Sequence, residues 1–264
     1  MVPLNEQKPV KKQQLDLRVR SNELLPSGLL HLCLENALGA EMPAMLPGQF
    51  VEVAVDKANV LLNRPYSIYN CTSDSLELLV APLGRASIAL QKYIKGEHLR
   101  VIAPLGHGFT TEFNTTDKVL LIGGGVGIAP LYYQARTLRE KGVNVEVVYG
   151  SRTNPDARIT DRFNAIAPLH ICTDDGSAGF KGLVTQHPVT QACEYNFAQV
   201  CGPQKMMESL HKFVSANNIN AEFSLENKMA CGLGACLCCV ENTTAGNVCV
   251  CTSGPVFNYK ELTW

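Results

Sequence analysis

The sequence predicts a β-barrel followed by an α/β domain and a small C-terminal cysteine-rich segment. Three observations carry this. The first half holds short runs of alternating apolar and polar residues separated by turn residues, the pattern of antiparallel strands. Near residue 117 the pattern changes to a continuous apolar run that passes straight into glycines and then into a helical stretch. Near the end, six of the eleven cysteines crowd into residues 231–251.

Residues 1–13 read as a flexible tail. Strand patterns follow at 15–19, 30–34, 50–55 and 76–80, punctuated by Pro26-Ser27-Gly28, Pro47-Gly48 and Ser73-Asp74. Residues 86–93 read as one short helix, and 99–103 as another strand. Short strands at near-regular spacing predict an antiparallel barrel over residues 14–116.

Residues 118–122 form an uninterrupted apolar strand, typical of one buried on both faces. A helix is predicted at 131–141 and another at 206–217, with strands at 143–149, 169–173, 197–200 and 219–225. Strand–helix alternation predicts a parallel sheet over residues 117–224, and 225–264 is left as the cysteine-rich segment.

Hydrophobic residues make up 46% and charged residues 18%, with a formal net charge of −1. This is an ordinary globular balance. There is no basic stripe, so nucleic acid is not an expected partner. The most apolar stretch, 119–133, is broken by glycines and a proline and is too short to span a bilayer. The N-terminus is polar with no visible secretory signal, so the expectation is a cytoplasmic protein without membrane attachment. In a reducing compartment, clustered cysteines read as a metal site rather than as disulfides.

Gly123, Gly124, Gly125 and Gly127 lie between a predicted strand and a predicted helix. Free N–H groups at a helix start can hold a pyrophosphate there. Pro130 stands where a Rossmann fingerprint has its third glycine, and suits a first helical turn. The end of the second strand offers Gly150-Ser151-Arg152 in place of the acidic residue that usually holds a ribose. The residues therefore leave NAD and NADP both open. Cys201, Gly202 and Pro203 close another strand on the same sheet edge, where ligands of such sheets sit. A tight turn and a packed thiol are the plainer readings of these two stretches.

Cys231, Cys236 and Cys239 have the spacing C-x₄-C-x₂-C, which wraps a plant-type [2Fe–2S] cluster. Gly232 and Gly234 allow the tight loop such a cluster needs. Cys249 or Cys251 could supply the fourth thiolate. A Zn(Cys)₄ site fits less well, since only one clean C-x₂-C pair is present. Buried free thiols are the remaining reading.

In the barrel half, Arg64 can clamp a phosphate, Tyr66 can stack on an aromatic face, and Ser67 can donate to a ring edge. Alone, Arg64-Pro65-Tyr66-Ser67 would pass for an extended loop.

Together, R-P-Y-S, G-G-G-x-G-x-A-P and C-G-P resemble the ferredoxin–NADP reductase superfamily. The loop from Met229 to Cys239, followed by Val250-Cys251-Thr252-Ser253-Gly254-Pro255-Val256-Phe257, resembles the electron-transfer subunits of class 1B dihydroorotate dehydrogenases. The resemblance runs from about residue 14 to 257.

It implies FAD contacts at Arg64, Pro65, Tyr66 and Ser67, with Leu79, Val80 and Ala81 flanking the flavin. It implies a phosphate loop at Gly84-Arg85-Ala86-Ser87, with Ala86 where the family has glycine and Ser87 where it has threonine. Pro104 to Phe109 matches the family's domain junction. NAD, rather than NADP, is implied at Gly123, Gly124, Gly125, Gly127, Cys201, Gly202 and Pro203. The implied cluster ligands are Cys231, Cys236, Cys239 and Cys251, leaving out Cys238 and Cys249.

A nicotinamide exchanges two electrons as a hydride, a [2Fe–2S] cluster takes one at a time, and a flavin handles both, so the flavin lies between them. The implied partner is an FMN-containing catalytic subunit that oxidises dihydroorotate in pyrimidine synthesis, in a heterotetramer of two copies each. No catalytic acid or base is expected in this chain. His107 and Glu226 are near the sites and read as structural groups rather than as catalysts. A competing expectation is an NAD(P)H reductase subunit of the same fold serving a hydrogenase, sulfur reductase or glutamate synthase complex. A third is a zinc-stabilised nucleotide-binding module without redox activity.

Overall fold

The computed structural model describes residues 11–264, so most of the expected tail lies outside the described residues. The barrel strands are β1 (Gln13–Leu24), β2 (Leu30–Asn36), β3 (Phe50–Val53), β4 (Arg64–Cys71), β5 (Leu76–Val80) and β6 (His98–Leu105). They close in the order β1-β2-β5-β4-β3-β6, every pair antiparallel. Alternation puts Leu17, Leu32, Leu34, Val51, Val53 and Ile68 into a solvent-free interior. The short helix α1 (Arg85–Leu90) plugs one end with Ala86, Ala89 and Leu90.

Strand β4 is longer than the extended loop that its first four residues suggested. Pro65 breaks the apolar alternation there, which hides a strand. Arg64–Ser67 pair with β3, while pairing with β5 begins only at Ile68. The start of β4 therefore lacks a ladder partner on its β5 side.

The second half contains β7 (Lys118–Gly124), α2 (Ala129–Glu140), β8 (Asn144–Ser151), α3 (Ala157–Asn164), β9 (Leu169–Thr173), β10 (Phe180–Lys181), α4 (Pro188–Ala192), β11 (Phe197–Cys201), α5 (Gln204–Ala216) and β12 (Asn220–Ser224). The sheet order is β10-β9-β8-β7-β11-β12, all parallel. Val119 and Leu121 pack under α2 and α3, and Leu120 and Ile122 under α5, so both faces of β7 are covered. The chain leaves β7 for β8 on one side and later returns to β11 on the other. This reversal opens a crevice at the carboxyl ends of β7 and β11.

The cysteine-rich end holds a hairpin, β13 (Val240–Thr243) and β14 (Gly246–Cys249), a turn of helix α6 (Val250–Ser253) and β15 (Val256–Asn258). β15 joins the large sheet as an antiparallel edge beside β12. Val250 and Cys251 are wholly buried in the core shared with Phe223. The segment is thus built into the sheet rather than hung from it. Among the described residues, no helix is long and apolar enough to cross a membrane.

Candidate active site

A cavity of about 270 Å³ opens where the three parts meet. The barrel supplies Pro65, Tyr66, Ser67, Leu79, Val80 and Ala81; the α/β half supplies Val126 and Ala129; the C-terminal segment supplies Met229 and Pro255. Leu225, Glu226 and Asn227, just beyond β12, complete the wall. Six residues expected at a flavin are thus brought together. The slot is mostly apolar and bordered by the unpaired start of β4, which suits a flat ring with polar edges. Tyr66 Oη is buried without a partner, and burial pushes the phenol up to about 12, with Arg64 opposing.

Arg64 donates to the carbonyls of Leu62 (2.8 Å) and Asn63 (3.0 Å), and forms no ion pair among the described residues. Its charge is available to an anion, as a pyrophosphate requires. Ala86 points into the barrel core, so only its N–H can face a ligand. Ser87 Oγ donates to the Gly84 carbonyl and accepts from the Gly84 N–H, both at 3.0 Å, capping its own helix.

The glycine turn divides into two roles. A Cβ on Gly127 would meet the Cys201 carbonyl oxygen and Gly202 Cα at 2.6 Å, and one on Gly124 would meet Met206 Sδ at 2.5 Å. Gly123 likewise packs on Ile128. Gly124 and Gly127 thus let the β7 and β11 loops touch, while Gly123 makes room within its own turn. Gly125 is the exposed one, with φ +55° and open space beside it, at the crevice where a dinucleotide phosphate would lie. Cys201 is buried, and burial, reinforced by Glu226, pushes its thiol well up; it is a neutral group. Gly202 lines a second cleft of about 260 Å³ that shares Leu225, Glu226 and Asn227 with the first. Glu226 is exposed where the two clefts meet, and the protein mass around it raises its carboxyl. His107 is exposed as well, and it is its backbone N–H that donates to the Gly254 carbonyl (2.6 Å).

None of the eleven cysteines is joined to another in a disulfide. The expected ligands form two neighbouring pairs. Cys231 lies beside Cys236, and the N–H groups of Leu233, Cys236 and Ala235 hold its thiol down at about 6. Cys239 lies beside Cys251, whose N–H donates to the Cys239 sulfur (3.4 Å); burial and Cys239 push the Cys251 thiol up. Two pairs of thiols, one already favoured as thiolate by backbone donors, suit a two-iron cluster with two sulfurs per iron. Cys249 adjoins the same group, its thiol raised by burial and by Cys239. Among the described residues, no three ligating side chains are arranged around a single metal-ion position.

Glu52 escaped the sequence reading. It occupies a polar position in an alternating strand, so nothing local marks it, yet the C-terminal loop buries it completely. Burial pushes its carboxyl up to about 7; Cys231 adds to this and Arg64 opposes it.

Comparison with known proteins bears on this geometry. Residues 226–263 match the model of the iron–sulfur cluster binding domain of dihydroorotate dehydrogenase B, and residues 121–212 match the oxidoreductase NAD-binding domain. The electron transfer subunit of dihydroorotate dehydrogenase B (NAD(+)) from Lysinibacillus sphaericus is 34% identical over 93% of this chain and 96% of its own length. Its counterpart from Clostridium acetobutylicum is 35% identical over 82% of this chain and 85% of that one. This chain belongs to the family of dihydroorotate dehydrogenase B electron transfer subunits.

Membership gives two of these sites their place: a dinucleotide-binding sheet over 121–212 and a cluster-binding segment over 226–263. Solved structures share the fold. An NADH-dependent reduced ferredoxin-NADP oxidoreductase superposes with TM-score 0.80 at 24% identity, covering 94% of this chain and 90% of its own. Phthalate dioxygenase reductase superposes with TM-score 0.64 at 17% identity, covering 88% and 87%. The barrel, the parallel sheet and the cysteine-rich end that the sequence predicts are all present, in a family of oxidoreductase subunits.

Proposed function

We propose that this electron transfer subunit connects NAD to an FMN-containing dihydroorotate-oxidising subunit, with two copies of each in the complex. The observation that carries the reading is the single cavity lined jointly by barrel, dinucleotide turn and cluster segment. When bound there, FAD supplies the exchange between hydride and single electrons.

The chain's own residues have defined tasks in this reading. Pro65, Tyr66, Ser67, Leu79, Val80 and Ala81 enclose the flavin ring and exclude water. Arg64 and the N–H groups around Ala86 and Ser87 hold its phosphates. Gly125 offers backbone donors to the dinucleotide, Gly124 and Gly127 let that turn close on Cys201, Gly202 and Pro203, and Gly123 lets the turn fold over Ile128. Cys231, Cys236, Cys239 and Cys251 hold the cluster. Cys201 stays protonated at the crevice, and no side chain is needed as an acid or base for the hydride. The protein works in the cytoplasm.

The test is co-expression with the candidate catalytic subunit. A stable complex that reduces NAD⁺ with dihydroorotate, when neither subunit does so alone, supports the reading. A chain that accepts electrons from NADH but neither binds that subunit nor gains dihydroorotate dependence contradicts it.

A further inference from the structure

Glu52 is out of place for a barrel strand. Val51 and Val53 point into the barrel, so Glu52 points outward, where a carboxylate usually meets water. It is nevertheless 0% exposed, and neither carboxyl oxygen has a hydrogen-bond partner among the described residues. The cover is the cysteine loop. A Cβ on Gly232 would stand 2.8 Å from Glu52 Cγ and 3.1 Å from Oε1, so the residue after Cys231 lacks a side chain where the carboxyl lies. Leu105 closes the same contact, 3.1 Å from that Cβ position. On the other side, strand register sets Glu52 opposite Pro65, between Arg64 and Tyr66. The carboxyl therefore lies between the cluster loop and the flavin wall.

A buried carboxyl without a partner is held as the neutral acid, because an unpaired charge is far costlier to bury. A neutral acid has one O–H to donate. The sulfurs of an iron–sulfur cluster carry negative charge and accept hydrogen bonds, and each such bond favours the state with the extra electron. Leu233 N–H already reaches the Cys231 sulfur at 3.4 Å from within the loop.

We propose that Glu52 is a positioning residue for the cluster, donating its carboxyl proton to sulfur at the Cys231 end and thereby favouring the reduced form. The inference rests on the reading that the thiol loop holds a two-iron cluster. It adds a barrel residue, remote in sequence from the cysteines, to the groups that set where the electron rests.

The test uses the full chain purified with its flavin and cluster. Reduction is followed at controlled potential by electron paramagnetic resonance, with iron and sulfide content as the measure of loading. Wild type is compared with Glu52→Gln, which keeps a donor, and with Glu52→Met and Glu52→Leu, which do not. The apolar variants should shift the reduction equilibrium roughly tenfold toward the oxidised cluster, with altered g-values, and the Gln variant should stay within about threefold of wild type. Apolar variants that match wild type overturn the proposal. So does a Gln variant moved strongly toward the reduced form, which would identify an anionic carboxylate instead. If neither apolar variant holds iron, the Gln variant's spectrum decides: g-values altered from wild type support a donor aimed at the cluster, and g-values and reduction equilibrium both identical to wild type overturn the proposal. A wild-type chain with flavin but no two-iron signal overturns the cluster reading itself, and the proposal with it.

Discussion

Tyr69 and Tyr132 stack at 4.7 Å across the boundary between barrel and sheet. Tyr69 belongs to β4, whose first residues line the cavity; Tyr132 belongs to α2, whose first residue, Ala129, lines it from the other side. Arg162 of α3 lies over both rings, at 4.9 and 4.5 Å, and pairs with Glu77 at 2.6 Å. The two walls of the cavity are thus fixed to each other by residues outside it.

Tyr132→Ala should therefore act on both stability and function. Loss of a largely buried aromatic ring costs roughly 3 kcal/mol, read by denaturant unfolding. Reduction of bound flavin by NADH should slow in stopped-flow experiments, because α2 carries the dinucleotide turn. Unchanged stability together with an unchanged rate would contradict this role for the stack.

Glu77 predicts an acid response. Burial alone would raise its carboxyl, but hydrogen bonds from His31, Arg162 and Asn70 outweigh this and hold it far below the usual range. A carboxyl depressed in the folded state contributes stability above its unfolded value of 4.5, and loses it as the pH falls toward the folded value. Thermal midpoints should drop below about pH 4.5. Glu77→Gln should lower stability at pH 7 and flatten that acid decline.

Gly127→Ala tests the crevice. The added methyl would press on the Cys201 carbonyl and Gly202 Cα, both backbone groups that cannot swing aside. The expected result is a chain that keeps its flavin spectrum but binds NADH at least tenfold more weakly, consistent with overpacking of about 1–3 kcal/mol. Isothermal titration of the purified protein measures it.

The cysteines separate by substitution. Changing Cys231, Cys236, Cys239 or Cys251 to serine should remove the cluster signal and lower the iron content. Cys238→Ser should leave both intact, since Cys238 is an exposed thiol outside the two pairs. Cys249→Ser should also retain the cluster. Loss of iron in Cys249→Ser with retention in Cys251→Ser would exchange their roles.

Much of this was legible in the sequence, for identifiable reasons. Alternation exposed the barrel strands, and the apolar run before Gly123 exposed the central parallel strand. Cysteine spacing marked the cluster loop, because ligand geometry forces short fixed separations. Strand β4 stayed hidden because Pro65 interrupts its pattern, and β15 because three residues at an antiparallel edge carry no period. Glu52 was invisible for a different reason: its burial comes from a loop some 180 residues away. The glycines misled in one respect. Gly124 and Gly127 pack loop against loop, Gly123 packs on Ile128 of its own turn, and of the four only Gly125 faces open space.

The central claim is that hydride and single-electron sites are joined through one flavin cavity. An anaerobic titration of the purified chain with NADH, read by visible absorption and electron paramagnetic resonance, tests it most directly. The predicted result is bleaching of a flavin band accompanied by the signal of a reduced [2Fe–2S] centre. Flavin bleaching in an iron-loaded chain whose cluster stays oxidised would contradict it, because the cavity would then not join the two sites.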